Sequence, residues 1–134
     1  MRFVALLATV PRIERAEIER LAAEAIDRIP EEFARHLENV TVVVEDEPTP
    51  ALLGDLGLDP RRDTLYGLYQ GTPLPERPHD FAAALPDRIT LYAGPLIRDC
   101  RTRVALRREI EVTIVHEIAH FFGLDEQRIR RLGY

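Results

Sequence analysis

Residues 110–126 read IEVTIVHEIAHFFGLDE, and their spacing decides the fold around them. Ile110, Ile114, Ile118, Phe121 and Phe122 recur three and four residues apart, the period of one helical face, which predicts a long helix from about Arg101 to Phe122. Gly123 stops it, because a left-handed cap disfavours any side chain there. Inside that helix His116 and His120 stand one turn apart on one side, so both imidazoles can meet one small cation. Glu117 sits beside them, aimed at a water in the cation's open position. Hydrolytic zinc sites use three protein ligands, leave the fourth position to water, bring its pKa near neutrality, and employ a carboxylate as general base. The third ligand then comes from beyond the glycine. Glu126 stands ten residues after His116, where motifs of the HExxHxxGxxH type place theirs, with oxygen replacing nitrogen. The adjacent Asp125 competes, although its better use is as N-cap of a final short helix over 125–132.

The plain alternative is a helix with two solvated histidines. With 4 His and 14 Glu among 134 residues, chance would supply an HExxH motif only about 0.01 times in such a chain, so the motif outweighs that reading.

Working outward, Ile18, Leu21, Ala22, Ala25, Ile26 and Ile29 form the apolar face of an amphipathic helix over 13–29. Pro30 opens a short helix through Glu31, Glu32, Phe33 and Leu37, with His36 expected on its solvent side. The β-branched run Val40–Val44 predicts a buried strand. Residues 49–64, punctuated by glycine and proline, read as a partly packed loop long enough to be a flap. Residues 65–71, LYGLYQG, predict a second strand in which Gly67 marks a close backbone approach or a bulge. A proline-rich loop follows, and 89–96, ITLYAGPL, predict a third strand ended by Gly94 and Pro95. The opening MRFVALLATV is too short to span a bilayer and fits a strand or apolar arm better than a signal peptide.

Composition removes whole classes of chemistry. The chain has no Ser, Lys or Trp, so serine nucleophiles, Schiff-base lysines and a P-loop lysine are excluded. A single cysteine, Cys100, forms no intrachain disulfide and no thiol cluster, which points to the cytoplasm. Cys100 itself reads as a small buried residue. The net charge of −5 disfavours nucleic acid and anionic membrane as partners. Arg98, Arg101, Arg103, Arg107 and Arg108 crowd together, but Glu109 and Glu111 follow and no aromatics interleave, so they read as a solvated helix face. Tyr66, Tyr69, Tyr92 and Arg88 are candidate oxyanion stabilisers, each better explained as a strand-face aromatic or a solvated arginine and none assigned. His79 reads as a surface residue.

Taken together, VTIVHEIAHFFGLDEQRI, LYGLYQGTPL and LPDRITLYAGPL resemble the small bacterial zincin-like proteins, or minimal zincins, of the HExxHxxGxxD type, from about Ile13 to Leu132. The resemblance implies an α+β fold, a small mixed sheet packed against a long active-site helix, in one domain over 1–134 with 1–12 as an additional strand or arm. It also implies a zinc metallopeptidase acting on a peptide or protein, with His116 and His120 as Zn2+ ligands and Glu117 as general base. Glu126 occupies the family's aspartate position, keeping a carboxylate oxygen on an arm one methylene longer. A different class of function stays open beside it: a metal-stabilised binding or regulatory module that never turns over substrate. Two imidazoles and a carboxylate also suit iron or nickel.

Overall fold

The computed structural model describes residues 15–71 and 87–134. The amino-terminal arm, the proline-rich loop and His79 lie outside the described residues. Helix α1 (Arg15–Arg28) buries Ile18, Leu21, Ala22 and Ala25, the stripe its periodicity predicts. Pro30 leads into α2 (Glu31–Ala34), which buries Phe33 and runs into a 3₁₀ turn, Arg35–Leu37.

Strand β1 (Val40–Glu45) is less buried than its β-branched run predicts: Val44 alone is buried. The reason is its place in the sheet. With β2 (Gly67–Gln70) and β3 (Asp87–Tyr92) it forms a three-stranded mixed sheet in the order β1-β3-β2. β1 pairs with β3 in parallel, Val42 opposite Ile89, and β2 pairs with β3 antiparallel, Tyr69 opposite Ile89. The central strand therefore takes the burial, while β-branching reports only that a residue suits a pleated backbone.

Two other expectations are corrected. The stretch over 49–64 contains a helix, α3 (Pro50–Asp55), started by the Thr49 hydroxyl accepting from the Leu52 N–H at 3.1 Å. Pro50 sits at the first helical position, where its missing N–H costs nothing, so it starts the helix rather than breaking one. The strand expected over 89–96 ends at Tyr92, and α4 (Ala93–Asp99) takes over. Gly94 and Pro95 lie in the first turn of α4; the Gly94 N–H donates to Asp46 O at 2.8 Å, and proline again falls where no intrahelical donor is needed.

Helix α5 (Arg103–Phe122) begins at Thr102, whose hydroxyl accepts from the Ala105 N–H. It buries Leu106, Ile110, Ile114, Val115 and Ile118 in one core with α1 and β3. Phe121 and Phe122 leave that stripe and stay 45% and 41% exposed, because the core ends one turn earlier. Phe122 lies against His36, ring centroids 4.6 Å apart, so His36 is part-buried against the helix end and not on the solvent side.

The buried Glu111 is held by Arg108 at 2.5 Å and Arg28 at 3.4 Å, tying α1 to α5. Arg103 pairs with Glu17 and Arg107 with Glu24, so the arginine-rich end of α5 is spent largely on α1. Cys100 is buried, as expected. The last helix, α6 (Glu126–Arg131), is capped by Asp125 and anchored by Ile129. The described residues thus form an α+β arrangement in which a small mixed sheet backs a long helix. No helix among them is long and apolar enough to cross a membrane.

Candidate metal centre

The site is assembled at the carboxyl end of α5, where local geometry places most of it. His116 and His120 share one side of the helix, their ring centroids 6.2 Å apart. Gly123 then adopts φ 65° and ψ 40°, the left-handed conformation that costs any residue with a Cβ, and its N–H caps Ala119 O. The chain reverses there, and α6 starts with Glu126 at its first position. Glu126 Oε1 comes to 3.5 Å from His120 Nε2, with both side chains well exposed.

His116, His120 and Glu126 each offer one donor atom, and these atoms lie within 4.8 Å of one another. Zinc–ligand bonds of about 2.0–2.1 Å give a tetrahedron with edges of roughly 3.3–3.4 Å, so the 3.5 Å separation of His120 and Glu126 already has the required scale. Two imidazoles and one carboxylate are also an established donor set for catalytic zinc. The residues present fit the ion. Asp125, the competing acid, is otherwise employed: its Oδ1 accepts from the Gln127 N–H at 2.9 Å and caps α6.

Glu117 lies between α5 and the sheet edge. Its Oε1 accepts from the main-chain N–H of Tyr69 on β2 at 2.9 Å. Burial raises its carboxyl pKa above the ordinary value, while the Tyr69 N–H and then His120 and His116 oppose the shift. Two turns earlier, Glu109 is pushed up by burial and by Asp99, with His116 acting the other way.

Close contact between β2 and α5 depends on Gly67. A Cβ there would sit 2.8 Å from Thr113 Cγ2 and 3.1 Å from Thr90 O, so the close approach expected of that glycine is observed. The candidate oxyanion residues are engaged elsewhere. The Tyr66 hydroxyl donates to Asp99 and the Tyr69 hydroxyl to Asp87, Tyr92 is buried, and Arg88 donates to Gln70 Oε1 at 2.8 Å. Tyr69 contributes to the site through its backbone, which sequence reasoning missed. Its partner is 48 residues away, and no side-chain pattern announces a main-chain donor.

A search of curated proteins finds no match. Among solved structures, the chain is similar to a conserved hypothetical protein from Thermo thermophilus at 21% identity and a TM-score of 0.54, covering 82% of this chain and 94% of that one. At that identity the likeness speaks for the fold alone. The model of the zincin-like metallopeptidase family matches residues 37–134, which takes in every element from β1 to α6. The chain belongs to the zincin-like metallopeptidase family.

Proposed function

We propose that this chain is a zinc-dependent peptidase in which His116, His120 and Glu126 hold the ion and Glu117 is the general base. The observation that carries this reading is the convergence of three donor atoms within 4.8 Å beside a carboxylate fastened to the neighbouring strand. Bound zinc would supply Lewis acidity, polarising the scissile carbonyl and acidifying the attacking water. Glu117 accepts the proton of that water on its carboxylate and later delivers it to the departing amine. Partial burial suits it to this task, since a carboxylate whose pKa is raised above its ordinary value is a stronger base and takes up the water's proton more readily.

The substrate we assign is a peptide or protein. That substrate class follows the family whose model the chain matches. The pairing of Arg98, Arg103, Arg107 and Arg108 with Glu47, Glu17, Glu24 and Glu111 supports the absence of a nucleic-acid partner. The unpaired, buried Cys100 supports a cytoplasmic location.

The test is metal analysis joined to a peptide-library digest. The purified protein should carry about one zinc. His116→Ala and His120→Ala should lose it, whereas Glu117→Gln should keep the ion and lose turnover, because the ligands remain while the base is gone. Stoichiometric zinc in both histidine variants would overturn the ligand assignment. Zinc binding without cleavage of any peptide would return the chain to the class of metal-stabilised binding modules.

A further inference from the structure

Strand β2 runs beside α5 in step with it. Gly67 abuts Thr113, the Tyr69 N–H reaches Glu117, and Gly71 abuts the ring of Phe121. Two strand residues advance about 6.6–6.8 Å and four helical residues about 6 Å, so this register persists over the whole contact. Main-chain donors of an antiparallel strand alternate in direction. Since the Tyr92 N–H donates to Tyr66 O, the Tyr69 N–H faces away from β3, toward the helix.

The side chain of the same residue is held on two sides. The Tyr69 hydroxyl donates to Asp87 Oδ2 at 2.6 Å in a buried bond, and its ring stacks on Phe121 with centroids 4.0 Å apart and planes 23° from parallel. Asp87 is itself 8% exposed and opens β3, the central strand. One residue is therefore anchored to β3 through its hydroxyl, to α5 through its ring, and to the Glu117 carboxylate through its backbone.

We infer that Tyr69 and Asp87 are the positioning pair for Glu117: the buried hydroxyl–carboxylate bond holds the β2 main chain so that its N–H fixes one carboxylate oxygen and leaves the other to handle the proton. The inference rests on the assignment of Glu117 as general base. Tyr69 and Asp87 act through Glu117 and are not catalytic residues. A tyrosine that merely filled the core would need its ring and not its hydroxyl.

The experiment uses the full chain, zinc-loaded, with backbone amide hydrogen exchange read by NMR and hydrolysis of a casein-derived peptide library as a second readout. Glu117→Ala identifies the exchange rate of the position-69 amide once its acceptor is gone. Tyr69→Phe and Asp87→Ala should raise that rate about tenfold or more, the scale of a lost bond to a charged acceptor, while the amides of Leu68 and Thr90 keep theirs. Zinc content should be unchanged in both variants. Hydrolysis should lose about tenfold or more in kcat with little change in KM, as expected when a catalytic group is displaced and binding is not. Asp87→Asn, which still offers an oxygen to the hydroxyl, should restore most of both. If Asp87→Ala fails to fold, Tyr69→Phe decides alone. Unchanged exchange at position 69 in Tyr69→Phe overturns the inference, as does loss of kcat without faster exchange there. If the zinc-loaded protein cleaves nothing, the peptidase reading fails and the exchange measurement still judges the positioning.

Discussion

His120 Nε2 and Glu126 Oε1 stand 3.5 Å apart across a chain reversal made by one glycine. The relationship joins two elements that are otherwise separately held: α5 by its core stripe, α6 by the buried Ile129 and the Asp125 cap. The geometry of the site is thus a property of the turn between them.

Gly123→Ala should therefore act twice. Forcing a Cβ into φ 65° costs about 1–2 kcal/mol of stability. It should also shift Glu126 relative to His120 and weaken zinc binding. Thermal denaturation and a zinc titration measure the two effects, and a variant equal to the parent in both would show that the turn does not set the site.

The two neighbouring acids should separate cleanly. Asp125→Ala removes the cap on the Gln127 N–H and should lower stability by about 1 kcal/mol while leaving zinc stoichiometry intact. Glu126→Gln should do the reverse, weakening zinc with little effect on stability in the metal-free protein. Metal analysis of the pair, alongside denaturant unfolding, distinguishes them.

Zinc should stabilise the fold by mass action, since the unfolded chain cannot bring the three donors together. At free zinc about a hundredfold above its dissociation constant the gain is about 2.7 kcal/mol. Chelation should lower the melting temperature of the parent protein and leave that of His116→Ala unmoved. Calorimetry with and without chelator gives the answer.

Ile114 is fully buried in the cluster that seats α5 against α1 and the sheet. Ile114→Ala should cost about 2–5 kcal/mol through lost burial and the void left behind. Val104→Ala, at a position 69% exposed on the same helix, should change stability little, to within about 0.5 kcal/mol. Urea unfolding of the two variants checks the contrast.

The Tyr66 hydroxyl donates to Asp99, and that bond, followed by burial, raises its pKa to about 12. A raised pKa means that the neutral form is favoured in the folded protein. The resulting stability is fully present below the unfolded value near 10 and is lost as pH rises through about 12. Tyr66→Phe should flatten that part of the stability–pH curve and delete from an ultraviolet titration a tyrosinate that forms near pH 12. Identical curves would show that the hydroxyl is not held.

How far the fold could be read depended on the range over which each signal acts. The stripe Ile110, Ile114 and Ile118 and the paired histidines are consequences of 3.6 residues per turn, a spacing set by adjacent backbone units. Gly123 and the Asp125 cap are equally local, and both appear where their chemistry places them. The misreadings cluster at prolines. Pro50 and Pro95 resemble breaks, yet each lies in a first helical turn, and only the residues before them, Thr49 as a cap and Tyr92 as a strand end, reveal it. Phe121 and Phe122 share the helical period with the core but outrun its length, which no period can disclose.

Helix period, glycine turn and donor spacing were written in neighbouring residues, because each follows from bond rotations within a few positions of itself. The anchoring of Glu117 on Tyr69, the Tyr69–Asp87 bond and the exposure of β1 arose only when distant segments were packed together. Those depend on strand order and on how closely β2 can approach α5, and such distances exist only once the whole core has closed.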